Sequence, residues 1–530
     1  MAEVSCDVLI VGSGTGGVAA AMAALDMGLG VVLTEETDWV GGQLTAQAVP
    51  PDEHPWIEQQ GCTRRYRAFR DSVRAAYRSG FRLRHDLLSD PEFNPGGGWV
   101  SKLCHLPETG HRVLTNQLAE AASKGSLDLR LRTIVAGGAQ LSGPPVGTRA
   151  EVTRHGNRIE SIAIQDLESG QIDHVTARFF IDATELGDLL PLTGTAYVTG
   201  SEGRNRYGED HAPDDEPQPG NQQGFTWVFP MGYDPGSHRT IDKPASYERW
   251  STFRPAFWPA PLLSLNDLDP ITRETRHMPL FSEDWHCWFK YREIFDPERT
   301  DGMYPHPITL VNWPQNDYFV APIVDVDPGT LWDRLLDAKE LSRCLLYWLQ
   351  TECPRPEGGT GYPGFYIAPG VAGTSDGFAK TPYIREARRI VPLNPVVEQD
   401  LAAENNPDLK RAPDMPDSVG VGSYRIDLHA STGGDSYIDL ATLPFQIPLG
   451  ALIPVETPNL LPACKNIGTT HITNGCYRLH PVEWNIGEAC GLLAAFCLGR
   501  GVEPHAVRAD TGLLSEFQGL LDGQGVERGW

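Results

Sequence analysis

Basic residues are scarce in this sequence of 530 residues. Lys and Arg total 44 against 69 Asp and Glu, which gives a formal net charge of -25 at pH 7. Proteins bind nucleic acids through clustered Lys and Arg side chains. The charge balance therefore argues against a nucleic-acid partner and indicates an acidic surface.

Long apolar runs and a targeting signal are also missing. The first apolar segment, residues 8–11, is interrupted by Gly12, and no basic stretch precedes it. A membrane-spanning helix needs about 20 apolar residues, and a secretory signal needs a basic start and a cleavage site. We therefore expect no membrane association and a cytoplasmic location.

Paired cysteines are absent as well. The ten cysteines are scattered without a Cys-x-x-Cys pair, which is typical of reduced, buried thiols and not of a disulfide framework. No Cys-x4-Cys follows the first glycine motif, so a redox-active disulfide is not expected there. The histidines show no ligand spacing, and no metal site is predicted.

The strongest chemical signal is a glycine-rich turn near the start. Residues 8–11 are typical of a buried parallel strand, and Gly12, Gly14 and Gly17 follow before a run of small helix-forming residues. In this pattern Gly12 permits a tight turn, Gly14 lets the backbone approach a pyrophosphate, and Gly17 lets helix and strand pack closely. The helix start offers free N–H groups to phosphates.

An acid follows at the end of a second strand. Residues 31–33 are apolar and lead to Glu35, about 20 residues past the glycines, where an acid holds ribose hydroxyls. Glu36 is the alternative, but Glu35 is in better register with the strand end. Together these features predict a dinucleotide site, against the alternative of a glycine-rich turn in an unrelated α/β protein.

A glycine pair after this acid indicates the type of dinucleotide. Gly41, Gly42 and Gln43 follow Glu35, and here the sequence resembles the glutathione-reductase-like superfamily of flavoproteins. In that superfamily the corresponding segment runs along the FAD diphosphate toward the flavin. The resemblance implies FAD as the cofactor, and we assign Thr15 and Val135 to the same site.

Two later segments carry the same resemblance. Residues 179–184 look like the superfamily's hydrophobic strand ending in Asp-Ala-Thr, which implies a cofactor role for Asp182, although Glu185 stands where glycine is more usual. Residues 459–487 look like its closing FAD segment, in which a helix start points at the flavin. Asn485 and Ile486 are expected to present helix-start N–H groups there.

These segments are far apart, so the cofactor domain is expected to be discontinuous. We predict an α/β fold in which residues 1–200 and 425–505 form a Rossmann-like FAD-binding domain with a three-layer ββα arrangement. Residues 200–425 are the inserted α+β substrate domain, and residues 506–530 are a C-terminal tail. Residues 152–159 predict a hairpin of the small antiparallel sheet in such flavoproteins.

Longer strings resemble a bacterial family of FAD-dependent oxidoreductases, and together they span most of residues 4–505: residues 41–45, 96–101, 312–318, 383–386 and 480–485. The resemblance implies an enzyme but leaves its substrate open. We expect a small-molecule substrate, oxidised at CH–OH or CH–NH by hydride transfer to FAD, with oxygen or an external carrier as acceptor. The oligomeric state is left open.

Two other functions remain as alternatives. One is a flavin monooxygenase or reductase that uses NAD(P)H, and the other is a non-catalytic flavin-binding partner protein. The only other glycine cluster that might bind NADPH, residues 420–423, lacks a third glycine and a following helix, which disfavours the first alternative.

Three side chains are candidates for catalysis. His480 lies in the closing segment, where an imidazole could accept a proton, stabilise reduced flavin as a cation, or simply fix a turn. Tyr318 could orient a substrate hydroxyl, and Arg385 could clamp an anion or pair with Glu386 or with an acid elsewhere. Covalent flavin attachment through Cys62, Cys104 or His105 is left open.

An aromatic-rich stretch in the inserted region has two interpretations. It could line a substrate pocket, or it could form the core of the inserted domain, which is the more frequent role. Its members are Trp250, Phe253, Phe257, Trp258, Trp285, Trp288 and Phe289.

Overall fold

One mixed β-sheet carries the glycine-rich turn. In the computed structural model, which describes residues 3–282 and 287–530, five strands of this sheet run parallel: Ser126–Leu131 and the strands labelled β1 (Glu3–Val11), β2 (Gly30–Glu35), β3 (Ile172–Asp182) and β4 (Leu460–Pro462). Strand β1 lies between β2 and β3, and β4 pairs with the carboxyl end of β3. Strand Ser126–Leu131 extends the sheet beyond β2. The carboxyl ends of all four labelled strands therefore meet at one edge.

Both faces of this sheet are covered. The sheet continues from the first half of β3 into three antiparallel strands, whose apolar side chains pack on one face of the parallel strands: Thr133–Val135, Val152–His155 and Arg158–Asp166. Leu9 and Val11 pack on that layer, whereas Val8 and Ile10 pack on helices at the opposite face. These layers confirm the predicted Rossmann-like class, and the pairing of Val152–His155 with Arg158–Asp166 confirms the predicted hairpin.

Two helices on the opposite face are in backbone contact. They are α1 (Thr15–Asp26) and α2 (His480–Arg500). A Cβ atom on Gly487 would lie 1.9 Å from the Gly16 carbonyl oxygen, and one on Gly491 would lie 2.3 Å from that of Ala20. The small residues of α1 are therefore explained by the close approach of α2.

We expect Gly487→Ala to destabilise the protein. The added methyl group must push α1 and α2 apart, and such overpacking costs about 1–3 kcal/mol. Gly499→Ala in the same helix is the matched control, since a Cβ there meets nothing within 4 Å. Urea denaturation followed by circular dichroism compares the two, and equal stabilities would contradict the close helix contact.

Residues 200–425, which the sequence predicts as an inserted domain and which are called the inserted region below, build a second core around an antiparallel sheet. Its four strands follow the order Glu293–Phe295, Ile308–Val311, Phe229–Tyr233 and Phe365–Ile367. The helix Pro328–Thr351 packs on this region, and its buried Leu335, Leu341 and Leu345 join the same apolar cluster.

The remaining strands are short and pair two by two: Arg82–Leu83, Tyr197–Val198, Phe225–Thr226, Asn266–Leu268, Thr275–His277, Thr300–Asp301, Asp317–Tyr318, Arg389–Ile390, Ser418–Gly422, Ile426–Leu428, Ile438–Leu440 and Phe445–Pro448. The other α-helices are Arg64–Gly80, His85–Ser89, Pro107–Ala121, Leu189–Thr193, Arg204–Tyr207, Tyr247–Thr252, Trp288–Tyr291, His471–Tyr477, Pro504–Ala509 and Thr511–Gln524.

The predicted C-terminal tail is largely helical. In Thr511–Gln524 the side chains of Phe517 and Leu521 are buried, and Phe517 packs on Phe496 of α2. All ten cysteines are free thiols. Within residues 3–282 and 287–530, no helix is both long and apolar enough to cross a bilayer.

Candidate functional site

The glycine-rich turn joins β1 to α1 at the carboxyl edge of the sheet. Gly12 has φ +95°, and Cβ atoms on Gly12 and Gly17 would lie 2.3 Å from the Ala183 oxygen and 2.0 Å from the Gly12 oxygen. Gly14 differs, because its φ is -59° and a Cβ would first meet the Glu185 carboxylate at 3.2 Å. The fold thus requires Gly12 and Gly17, whereas Gly14 borders open space beside the start of α1.

The second glycine pair rests on this turn. The Gly41 N–H donates to the Ser13 carbonyl (2.8 Å), and the Thr15 hydroxyl donates to the Gly41 carbonyl (3.3 Å). A Cβ on Gly42 would lie 2.7 Å from the Gly14 Cα. The predicted glycines and Thr15 therefore come together, with their backbones in contact.

Both candidate acids lie beside the turn, but they are held differently. Glu35 accepts hydrogen bonds from the Ser13 hydroxyl (2.6 Å) and from the N–H and hydroxyl of Thr37 (2.8 and 2.7 Å). Glu36 accepts from the N–H groups of Leu141 and Ser142, and burial raises its pKa to about 7. Glu35 is thus the acid tied to the glycine turn, as its register predicts.

A cleft opens where these segments meet. Predicted residues that line it are Gly12, Gly14, Glu35, Glu36, Gly42 and Val135. Asp182 is fully buried instead, where it accepts hydrogen bonds from Thr184 and from the Leu189 N–H. Burial raises the pKa of Asp182 to about 7. Its role here is to shape the turn whose residues 183–186 line the cleft.

A buried charge cluster that the sequence did not predict lies beside the turn. The Lys465 ammonium lies 2.5 Å from Glu185 and 3.7 Å from Glu483 of α2, and Lys465 and Glu483 are fully buried. The Gln43 side-chain amide donates to Glu483 (2.9 Å) and to the Arg478 carbonyl (3.1 Å). Burial raises the pKa of Glu483 to about 7 against the opposing charge of Lys465.

Several buried polar atoms in this region have no protein partner. They are Oε1 of Gln43, Gln47 and Glu483, and Nε2 of His480. Buried polar groups are almost always hydrogen-bonded, so such a set indicates ligand contacts. These atoms fit the polar edge of a flavin, and an FAD bound here would be held at its diphosphate by the start of α1 and at its ribose by Glu35. The residues present therefore fit FAD.

His480 is the first residue of α2, and its imidazole is neutral. The Asp52 N–H donates to Nδ1 (3.0 Å), which places the ring proton on Nε2. Burial, together with the Arg478 charge, lowers the pKa of His480 to about 3. This geometry corrects two of the predicted roles, because the ring neither accepts a proton readily nor carries a positive charge. It presents an N–H donor instead.

The start of α2 also corrects the expectation for Asn485 and Ile486. Because the helix begins at His480, the N–H groups of Asn485 and Ile486 lie in its second turn and are not at the helix start. The Asn485 side chain donates to the Val419 carbonyl (3.2 Å), so it fixes a neighbouring strand.

Tyr318 and Arg385 are held within the inserted region. Tyr318 packs on Phe225, and burial with the nearby Asp337 carboxylate raises its pKa to about 12. Arg385 pairs with Asp317 (3.1 Å) and donates to the Asn312 oxygen (3.1 Å), so its partner is an acid elsewhere in the chain and not Glu386. Among the described residues, no hydrogen bond or ion pair joins either side chain to His480.

The aromatic stretch forms core. Trp250, Trp258, Trp288 and Phe289 are buried in the apolar cluster of the inserted region, and Phe253 and Phe257 pack against it. Trp285 lies outside the described residues. The thiols of Cys62 and Cys104 are buried, and burial raises the pKa of each to about 12.

One group of possible metal ligands lies away from the cleft. His211, Glu398 and Glu404 place one ligand atom each within 4.8 Å of the others. His211 Nδ1 lies 2.7 Å from the buried Glu398 carboxylate, which is an ordinary ion-pair geometry. This cluster ties residues 209–211 to residues 398–404.

Comparisons with known proteins identify the family. The family model described as FAD dependent oxidoreductase matches residues 7–521. No curated protein matches the chain. Among solved structures, the OxyS anhydrotetracycline hydroxylase from Streptomyces rimosus aligns at 10% identity and TM-score 0.33, over 98% of this chain and 67% of that one.

Two other solved structures align over shorter stretches. L-proline dehydrogenase from P. horikoshii aligns at 17% identity and TM-score 0.18, over 38% of this chain and 25% of that chain. The myxobacterial chondrochloren halogenase CndH aligns at 17% identity and TM-score 0.22, over 45% of each chain. This chain thus spans less than half of either enzyme, and these similarities indicate no substrate. From the family match, the chain belongs to the FAD dependent oxidoreductase family and is an enzyme with FAD as its cofactor.

Proposed function

We propose that this protein oxidises a small polar organic molecule at a carbon that bears nitrogen or oxygen, by hydride transfer to FAD. The observation that carries the proposal is the pair formed by His480 and Asp52 at the start of α2. The imidazole presents a neutral Nε2–H, and the adjacent Asp52 carboxylate has no hydrogen-bond or ion-pair partner among the described residues. One group donates a hydrogen bond and the other accepts a proton.

Bound FAD supplies the two-electron acceptor. Side chains of this protein position the reacting groups and handle the proton. Gln43 and Glu483 fix the start of α2 relative to the glycine turn, so that His480 is held in place. The Nε2–H of His480 would donate a hydrogen bond to bound flavin or substrate and would stabilise negative charge there. Burial raises the pKa of Asp52, which suits a proton acceptor.

The alternative use of NAD(P)H lacks support in the segment considered for it. Residues Ser418–Gly422 form a buried strand that pairs with Phe445–Pro448, and no phosphate-binding turn is built there. We further propose that residues 1–200 and 425–505 act as the cofactor domain of a glutathione-reductase-like flavoprotein. In this proposal residues 200–425 cover the flavin, and oxygen or an external carrier reoxidises it.

Anaerobic bleaching of the flavin absorbance tests this function. We expect a member of a panel of small alcohols and amines to bleach the purified holoprotein, whereas NADH and NADPH leave it oxidised. In His480→Phe the lost donor should slow bleaching by about 10²–10³-fold. Arg500→Met, at the exposed end of α2, is the control with an unchanged rate. Bleaching by NADPH alone would favour the monooxygenase or reductase reading instead.

A further inference from the structure

Asp52, whose N–H bonds to His480, and Arg292 are charges of opposite sign that lie unpaired among the described residues. Asp52 is 7% exposed, and Arg292 is half-buried with its Nε atom buried and without a partner. In residues 3–282 and 287–530, neither side chain makes an ion pair within 4.0 Å or a hydrogen bond, and Arg292 only packs over the Tyr291 ring. Buried charges without partners are costly, so this arrangement calls for a ligand.

The neighbouring charges are already paired with one another. Arg478 lies 3.5 Å from Asp427, and Asp317 contacts both His429 (2.5 Å) and Arg385 (3.1 Å). Burial raises the pKa of Asp52, and Arg292 is the charge that opposes this rise the most. Arg292 therefore acts on the Asp52 charge from farther away than an ion pair allows, and both charges are left without a partner among the described residues.

We propose that the substrate is a small zwitterion whose amine binds at Asp52 and whose carboxylate binds at Arg292. This inference rests on the proposed function and names its substrate class. Arg292 suits a carboxylate because a guanidinium can bind it through two parallel hydrogen bonds. The Asp52 backbone N–H bonds to His480, so the amine-bearing carbon is the one placed at the reacting end.

The chemistry balances with these groups. The Asp52 carboxylate takes a proton from the substrate ammonium, which leaves a neutral amine. The carbon next to the nitrogen then gives its hydrogen and the C–H electron pair to FAD as hydride, and a C=N bond forms. The substrate loses two electrons and FAD gains them.

Titration of the holoprotein under anaerobic conditions tests the proposal. The probes are piperidine-2-carboxylate and a panel of α-, β- and γ-amino acids with their N-methyl derivatives. Each is compared with the amine and the carboxylic acid that lack one of its charges, for example piperidine and cyclohexanecarboxylate. We expect at least one zwitterion to shift the flavin spectrum with an affinity at least about tenfold above both single-charge analogues. The proposal is overturned if no zwitterion shifts the spectrum, or if a single-charge analogue binds equally well.

Variants separate the two ends of the ligand. Arg292→Met should weaken the binding of zwitterions and carboxylic acids but not that of amines. Asp52→Asn should weaken the binding of zwitterions and amines but not that of carboxylic acids. Arg500→Met should change none of them. Because neither charge has a protein partner, both variants should melt at or above the parent temperature. A large loss of melting temperature would contradict the unpaired charges on which the proposal depends.

The outcomes also separate this inference from the proposed function. A zwitterion that shifts the spectrum without bleaching the flavin would support the site but contradict the oxidation. Bleaching by a neutral alcohol, with no zwitterion bound, would support the oxidation and overturn the substrate class.

Discussion

Gly14→Ala is expected to yield a folded protein that fails to retain FAD. The φ of Gly14 is -59°, which any residue adopts, and the nearest atom to an added Cβ is the flexible Glu185 carboxylate at 3.2 Å. The protein alone can therefore accommodate the methyl group. The diphosphate cannot, because it must approach the start of α1 at this residue. Overpacking of about 1–3 kcal/mol corresponds to roughly 5- to 150-fold weaker binding.

The measurement is the ratio of flavin to protein absorbance after gel filtration, with circular dichroism to verify folding. Gly519→Ala is the control, since a Cβ there meets nothing within 4 Å. Gly12→Ala is the contrasting variant, because its Cβ would lie 2.3 Å from the Ala183 oxygen and the fold itself should suffer. If the Gly14→Ala protein retained a full complement of FAD, the result would contradict the binding of the diphosphate at this turn.

The cofactor turn was predictable because its constraints are local. Gly12 and Gly17 are required by contacts within a single strand–turn–helix unit, and Glu35 follows on the adjacent strand. Such requirements appear in the sequence as fixed glycine spacing after an apolar run. The alternation of Val8 and Ile10 against Leu9 and Val11 likewise explains why residues 8–11 are uniformly apolar.

The contacts around His480 and Lys465 were not predictable in the same way. The bond between Asp52 and His480 joins residues 428 positions apart, and Lys465 lies 280 positions from Glu185. No local periodicity encodes such pairs. The state of His480 depends on them, because the Asp52 N–H and burial together decide which nitrogen holds the proton.

The sequence does contain a signal for the true start of α2. Pro481 occupies the first turn of α2, where proline is favoured because its missing N–H has no partner in any case. Read in this way, the sequence places the helix start at residue 480 instead of near residue 485. For Arg385 the sequence left both an adjacent and a distant acidic partner open, and the structure pairs it with the distant Asp317 and not with the adjacent Glu386.

Glu386→Gln is expected to cost about 3–5 kcal/mol of stability near neutral pH, as breaking buried ion pairs does. Glu386 is buried and lies 2.6 Å from Arg389 and 3.0 Å from His471. Burial alone would raise the pKa of Glu386, but the charges of His471 and Arg389 outweigh it and lower the pKa from 4.5 to about 2. The amide variant leaves both cations without this carboxylate.

The lowered pKa of Glu386 also predicts how the stability cost of the variant changes with pH. A carboxylate whose pKa is lowered in the folded state adds stability above its unfolded pKa, and that stability is lost as the pH falls through the folded pKa. The difference in unfolding free energy between the parent and Glu386→Gln should therefore be largest near neutral pH and shrink as the pH falls from about 4.5 toward about 2.

Asp414→Asn is the matched control, because Asp414 pairs with Arg411 at the same i,i+3 spacing but both are exposed. Such exposed pairs contribute at most about 1 kcal/mol. Urea denaturation over this pH range measures both variants. A Glu386→Gln cost that stays constant with pH would show that the carboxylate charge is not what stabilises this cluster.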